Sequence, residues 1–252
     1  RLVRQLVFRL CGRHSLSIPW GGVGLPIAEL LKNFFLIGAV GTGKTLIVKS
    51  CLARLLPYVY RFPKWRAIVV DPKGDLGETV MAAIPRHKVQ LLNFGSSLTL
   101  VWDIAKDTSG KSTLIQQICH KLIEVLEETQ PFFTEAARAI LQAVMLALSL
   151  QAPGAWRFSD VIFVLRSQKR TQVILNLHQA TRESLETYAA NPRVLNDVFA
   201  TLNARISDFL PVAAIWSHAQ FEHPERTFSV SDFVRGNSVL LMQMQASSSV
   251  SQ

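Results

Sequence analysis

The chain has 252 residues, 49% of them hydrophobic, a length that allows one large domain with an inserted or appended part. Its three cysteines, Cys11, Cys51 and Cys119, form no C-x-x-C pair, so neither a disulfide framework nor a zinc site is indicated and a reducing compartment is expected. The formal net charge of +9 favours polyanionic partners such as nucleic acid or an anionic bilayer, but the basic residues are dispersed and are densest only at residues 166–170.

The opening segment, residues 1–9, places basic residues among apolar positions, unlike a signal peptide. It fits either a surface helix or a segment that lies on a membrane surface. No apolar run reaches the roughly 20 residues that a membrane span needs. The best candidate, residues 136–150, contains Arg138 and Gln142 and is predicted to form a core or amphipathic helix.

Residues 34–45 contain the strongest motif of the sequence. Residues 34–37 are a short apolar run, which is typical of a buried strand. Residues 38–45 read GAVGTGKT and fit the pattern G-x-x-x-x-G-K-[ST] at every position. Residues 46–56 follow with helical spacing, and Pro57 is expected to end that helix. A strand, a glycine loop and a helix start predict a site for ATP or GTP.

The residue types of this loop match the chemistry of phosphate binding. Its glycines allow backbone dihedrals that turn consecutive amides toward phosphate oxygens, and the helix start adds N–H groups and a positive dipole end. Lys44 is the catalytic candidate, expected to bridge the β- and γ-phosphates, and the Thr45 hydroxyl is the expected Mg²⁺ ligand. The predicted nucleotide-binding residues are Gly38, Ala39, Val40, Gly41, Thr42, Gly43, Lys44 and Thr45.

Residues 105–112 are a second, weaker match to the same pattern when alanine is allowed at the first position. They contain a single glycine, and Asp107 would place a carboxylate where a phosphate should lie. We interpret the segment as a polar loop that leads to a helix capped by Ser112 or Thr113.

The remaining pattern predicts a parallel sheet interrupted by helices. Residues 66–70 and 88–92 are predicted strands separated by helical segments, and strand character returns at residues 238–242. Helical spacing dominates between residues 112 and 209, and helix caps are expected at Thr134, at residues 159–160 and at Thr181. Asp71 ends a predicted strand at the edge where ligands bind, so it is a tentative catalytic residue that reaches Mg²⁺ through water; the alternative is a turn built by residues 71–74.

Five segments occur in an order that resembles one known family. They are residues 18–26, the glycine loop, residues 70–76 (VDPKGDL), residues 131–138 (PFFTEAAR) and residues 227–233 (TFSVSDF). The order resembles the motor domain of the type IV secretion coupling proteins over nearly the whole chain. The Asp-Pro-Lys-Gly box and the Phe-x-x-x-Ala-x-Arg segment are the more specific marks, since the glycine loop alone fits many families.

The resemblance implies an α/β fold: a RecA-like P-loop NTPase core with a parallel sheet, interrupted by an all-α inserted domain. The expected division is residues 1–108 for the first part of the NTPase domain, 109–225 for the insert, and 226–252 for the return. It also implies an ATPase that uses ATP and Mg²⁺. Implied partners are single-stranded DNA or a relaxase–DNA complex, and type IV secretion channel proteins. The expected assembly is a homo-hexamer on the cytoplasmic side of the bacterial inner membrane, held there by an anchor absent from this chain.

The sequence departs from the family pattern at one point. The second acidic box, an apolar strand ending in Asp-Glu, is not found after residue 209, so we expect a fragment that is incomplete for turnover. Glu135 and Arg138 are expected either to form a surface ion pair or to face a neighbouring subunit, where Arg138 would act on its nucleotide. Two other functions stay open: a nucleotide-regulated recruitment module that moves no DNA, and a DNA translocase of the FtsK or HerA type.

Overall fold

The computed structural model describes residues 17–20, 23–26, 29, 32, 35–96, 98–124, 131–189 and 191–244. The interpretation of residues 1–9 as a surface or membrane-associated segment lies outside the described residues. The strands are β1 (Ser17–Trp20), β2 (Val23–Pro26), β3 (Ala67–Asp71), β4 (Val89–Asn93), β5 (Val101–Trp102), β6 (Thr227–Phe228) and β7 (Val239–Gln243).

Eleven α-helices lie in the described part of the chain, together with 3₁₀ turns at Arg86–Lys88 and Ser207–Phe209. The first three are α1 (Lys44–Arg61), α2 (Gly77–Ala83) and α3 (Ile104–Thr108). The next four are α4 (Ser112–Leu122), α5 (Pro131–Gln151), α6 (Phe158–Leu165) and α7 (Gln168–Asn176). The last four are α8 (Gln179–Ala189), α9 (Pro192–Ile206), α10 (Leu210–Glu222) and α11 (Val230–Arg235).

The central sheet is parallel and has the strand order β3-β7-β4. Leu241 in the middle of β7 is opposite Val69 on one side and Leu91 on the other. The three predicted strands are therefore confirmed, each displaced by one residue. Because β7 follows the helices in sequence but lies between β3 and β4, the segments before and after the helices form one sheet. Side chains of α1 and α2 pack against it in a core that includes Leu56, Val80 and Leu241.

The helices α4 to α10 form a second, larger core around α5. Ten residues of α5 are buried, because apolar side chains occur on most of its surface. By length and composition alone, Pro131–Gln151 and Pro192–Glu222 are long and apolar enough to cross a membrane. The first is the central core helix α5, and the second is divided here into α9, a 3₁₀ turn and α10. A buried core helix meets the same criterion, as the sequence predicts for α5.

The polypeptide enters and leaves the helical region at one place. β5 pairs in parallel with β6, so residues 101–102 lie beside residues 227–228. The ammonium of Lys106 on α3 lies 2.5 Å from the carboxylate of Asp232 on α11. The two connections between the sheet and the helices are thus joined to each other.

Several helix boundaries differ from the sequence expectations. α4, α6 and α8 begin at Ser112, Phe158 and Gln179, so the caps expected at residue 112 or 113, at residues 159–160 and at residue 181 lie within the helices. α1 continues through Pro57 to Arg61, because proline removes only one helical hydrogen bond and Val59 beyond it is buried against the sheet. α5 begins at Pro131, so Thr134 lies within the helix and is buried instead of capping it. Proline is favoured in the first turn, where its missing N–H costs nothing.

Candidate nucleotide-binding site

The glycine loop adopts the backbone that its residue types predict. Gly41 and Gly43 both have φ of +82°, in the left-handed region that side chains with a Cβ rarely adopt. Gly43 is the N-cap residue of α1, and no side chain caps this helix. A Cβ at Gly38 would lie 2.5 Å from the Thr42 hydroxyl oxygen. Three glycines of the motif are therefore required by conformation or by space.

Few hydrogen bonds within the loop use its amides. The hydroxyl of Thr42 donates to the carbonyl of Ala39 over 2.8 Å, and the backbone N–H of Thr42 makes a long 3.4 Å contact with the same oxygen. The carbonyl of Gly43 accepts the N–H of Ile47, which starts the helical ladder. The N–H groups at the start of α1 have no helical acceptor, as at any helix start. The loop is exposed, so these donors face solvent.

Lys44 extends along the loop backbone. Its Nζ lies 2.5 Å from the carbonyl oxygens of both Gly38 and Ala39. An ammonium has three donor hydrogens, so two such bonds leave one for a further acceptor. There is no acidic residue in the first turn of α1. The arrangement combines a positive side chain, free amides and a helix start, and these are the donors that a phosphate accepts from.

One oxygen atom at the start of α1 could serve as a ligand of the magnesium ion that accompanies a nucleotide. Thr45 is exposed at the start of α1, where its hydroxyl oxygen is accessible to a cation. Among the described residues there is no cluster of three or more His, Cys, Asp or Glu side chains that could hold a metal ion. Mg²⁺ is commonly held by substrate phosphates, water and one or two protein oxygens.

The described residues of the segment before the loop do not form a strand. Residues 35–39 have no regular structure, and Phe35 and Ile37 are 87% and 83% exposed. The predicted strand over residues 34–37 is therefore not observed in its described part. Apolar character favours a strand only where a neighbour supplies hydrogen bonds and cover, and residues 35–39 pair with none of the described strands.

Asp71 is buried at the end of β3, where its carboxylate shapes the following turn. Its Oδ2 accepts the N–H of Leu76 over 2.9 Å and the Nε2 amide of Gln243 over 3.1 Å. The turn between them contains Gly74 at φ +78°. None of the described hydrogen bonds of Asp71 joins it to a residue of the glycine loop. Gln243 was not identified from the sequence; the signal is its position opposite Asp71 in neighbouring parallel strands.

The second glycine match does not form a phosphate loop. Its first residues form α3, and the carboxylate of Asp107 accepts four hydrogen bonds at 2.7–3.0 Å, from Trp102, Ser229, Val230 and Ser231. Burial alone would raise the pKa of Asp107, but the N–H of Ser231, the indole of Trp102 and the N–H of Val230 lower it to about 2. The interpretation of residues 105–112 as a non-binding segment agrees with this geometry, although the first part is a helix.

Arg138 makes a contact that the sequence did not indicate. Its Nε and Nη2 donate to the carbonyl of Ile123, at 3.0 and 2.8 Å. Ile123 is the residue that ends α4, so the guanidinium caps the exit of that helix. The expected ion pair with Glu135 is not among the described contacts of Arg138. Glu135 is exposed on α5.

Solved structures with the same fold include conjugative coupling proteins. The bacterial conjugative coupling protein TrwB in an unbound form is 16% identical, with a TM-score of 0.64, and the alignment covers 96% of this chain and 53% of that one. Plasmid TrwB in complex with ADP and Mg²⁺ is 17% identical, with the same TM-score, and coverage is 96% and 54%. The chain thus spans about half the length of these relatives. Its fold is a RecA-like P-loop core with a parallel sheet, interrupted by an all-α region.

The sequence comparison adds the family. A family model described as the type IV secretion-system coupling protein DNA-binding domain matches residues 17–250. The chain belongs to this family, as the order of motifs indicates. No curated protein matches the sequence significantly.

Proposed function

We propose that this chain is the ATP-binding motor domain of a type IV secretion or conjugation coupling protein. ATP hydrolysis would drive the transfer of single-stranded DNA, alone or with its relaxase, to the secretion channel. The observation that carries the proposal is the glycine loop: left-handed Gly41 and Gly43 lead into α1 at Lys44. Family membership and the net charge of +9 support the DNA cargo.

The loop residues have separate roles in this proposal. The amides of residues 41–45 surround the phosphates, and the ammonium of Lys44 exchanges its loop carbonyls for phosphate oxygens. The Thr45 hydroxyl would be the protein ligand that the loop offers to Mg²⁺. The bound Mg²⁺ would neutralise charge on the phosphates during transfer of the terminal phosphoryl group. Nucleotide-bound TrwB structures, which include one with an ATP analogue, support this assignment.

The division of the chain is part of the proposal. We assign residues 1–108 and 226–252 to the NTPase domain and 109–225 to the helical insert. Two features support these boundaries. The β5–β6 pairing joins the connections at residues 101–102 and 227–228, and the core of the helices is distinct from the core beneath the sheet.

The proposed assembly is a homo-hexamer on the cytoplasmic side of the bacterial inner membrane. Channel proteins are its partners there. Membership of the coupling protein family supports this setting, because coupling proteins work in conjugation.

The function is tested by ATP turnover with and without single-stranded DNA. Because the solved relatives are about twice as long, the assay uses a form that includes the region they have beyond this match. We expect DNA to stimulate turnover, and Lys44→Ala to abolish it with the fold intact. Equal turnover with and without DNA would remove the motor function and favour a nucleotide-regulated recruitment module.

Asp71 remains a candidate for a water-mediated contact with Mg²⁺, supported by its place at the end of β3. Asp71→Asn removes the charge but keeps an oxygen for the N–H of Leu76. If the carboxylate acts on Mg²⁺, the variant binds Mg-ATP about tenfold more weakly while binding Mg²⁺-free nucleotide normally. Gln243→Met is the matched control, because it removes only the structural partner of Asp71. An equal loss of affinity in both variants would show that Asp71 only shapes the turn.

A further inference from the structure

An exposed aromatic ring lies beside the densest group of basic side chains in the sequence. Phe163 on α6 is 62% exposed, although the guanidinium carbon of Arg170 on α7 lies 3.8 Å from its ring centroid. This is a cation–π contact between neighbouring helices. Arg170 therefore covers one side of the ring, and the rest of the ring remains accessible to solvent.

The turn between α6 and α7 gathers further exposed groups around this ring. Arg166, three residues after Phe163, is exposed and continues the same helix face. Lys169 is exposed in the first turn of α7, and Val173, one turn after Lys169 and Arg170, is 57% exposed. We call these five residues, Phe163, Arg166, Lys169, Arg170 and Val173, the Phe163 surface. Ser167 fixes the turn by accepting the N–H of Arg170 over 3.4 Å.

Basic residues outnumber acidic ones around this surface, where Asp160 lies three residues before Phe163. No acidic residue occurs from residue 161 to residue 182, whereas Arg166, Lys169, Arg170 and Arg182 do. Another exposed phenylalanine of the helical region, Phe221, is 82% exposed but is followed directly by Glu222. The Phe163 surface thus combines an open ring with several basic groups, a combination that the sequence around Phe221 does not provide.

We propose that the Phe163 surface binds single-stranded DNA. A base stacks on the Phe163 ring, while Arg166 and Lys169 bind the phosphates on either side. Single strands are recognised by aromatic rings within basic surfaces, because each base has a face to stack and each nucleotide a charge to neutralise. In a duplex the bases are stacked on one another, so no base face is available to stack on the Phe163 ring. The inference rests on the proposed DNA cargo, and it places a contact with that cargo on the helical insert.

The experiment measures the affinity of a fluorescein-labelled oligo-dT by anisotropy at two salt concentrations. Phe163→Ala is expected to weaken binding about tenfold, the loss of one stacked base, and Phe163→Trp to restore it. Arg166→Ala with Lys169→Ala is expected to weaken binding and to reduce its salt dependence. Phe221→Ala is the control for the ring. Lys64→Ala with Lys121→Ala is the control for charge, since it removes two exposed charges elsewhere.

The outcomes separate this inference from the proposed function. If the protein binds oligo-dT and Phe163→Ala binds as tightly, the Phe163 surface is excluded and the DNA function remains. The same exclusion follows if only the charge variant weakens binding, because base stacking then contributes nothing. If the unmodified protein does not bind oligo-dT and instead binds an acidic polypeptide, both the surface assignment and the DNA cargo are wrong.

Discussion

Asp107 shows how one residue connects the two ends of the helical region. Its side chain is 2% exposed, and three of its four donors are in residues 229–231, where α11 begins. A carboxylate at a helix start interacts favourably with the dipole as well as with the N–H groups. In the sequence, only the Gly-Lys-Ser run at residues 110–112 suggested a phosphate loop here. The single glycine and the acidic residue argued against a phosphate site, and the geometry agrees with that interpretation.

The low pKa of Asp107 makes stability depend on pH. The folded pKa of about 2 lies below the ordinary value of 3.8, so the carboxylate stabilises the fold above about pH 4, and this contribution is lost as pH falls toward 2. The difference corresponds to about 2 kcal/mol in the free energy of unfolding. Asp107→Asn should therefore be less stable by about that amount at pH 7 and should lack the part of the acid dependence that Asp107 contributes between about pH 4 and pH 2, as measured by urea unfolding from pH 7 to pH 2.

Asp232→Asn is the control for Asp107. Its carboxylate forms an exposed ion pair with Lys106 in the same junction, and exposed pairs contribute little to stability. An equal loss of stability in both variants, or an unchanged acid dependence in Asp107→Asn, would contradict the role given to Asp107.

At the scale of elements, Arg138 links α5 to the end of α4. Replacing Arg138 with methionine keeps the apolar stem but leaves the carbonyl of Ile123, a buried residue, without its donors. We expect a loss of about 1–3 kcal/mol in the free energy of unfolding, measured by urea denaturation. Arg182→Met is the matched control, because Arg182 donates to the carbonyl of Asn176 on an exposed surface. A structural role also predicts that nucleotide affinity is unchanged in Arg138→Met, and a large loss of affinity would favour action on a nucleotide.

The three strands of the central sheet could be predicted to within one residue because β-branched and leucine runs such as residues 67–71 have a clear pattern. The predicted strand at residues 34–37 is not observed in its described part, and the short strands β1, β2, β5 and β6 were not predicted. Helix limits were less predictable where long-range packing outweighs a local signal. The sequence predicts that α1 ends at Pro57, yet the helix continues to Arg61 because Leu56 and Val59 are buried against the sheet. Thr134 reads as a cap, but Pro131 begins the helix one turn earlier.

At the scale of the whole molecule, the order of motifs predicted the family and the fold, because each segment occupies a definite place in the chain. The conformation of the glycine loop was predictable, since Gly41 and Gly43 adopt the left-handed dihedrals that the motif requires, while its role as a nucleotide site stays a prediction. Contacts between distant segments were not predictable. The pairing of Asp71 with Gln243, the capping by Arg138 and the contact of Phe163 with Arg170 depend on how strands and helices meet.

The most direct test of the account is the binding of Mg-ATP by this chain, measured by calorimetry for the unmodified protein and for Lys44→Ala. We predict saturable binding of one nucleotide per chain and a loss of affinity of at least about tenfold in the variant, because an ammonium–phosphate contact is removed from the loop. The melting temperature without nucleotide should be unchanged, since Lys44 contacts only exposed loop carbonyls. Equal affinity in the two proteins, or no binding by the unmodified chain, would contradict the assignment of residues 38–45 as the nucleotide site.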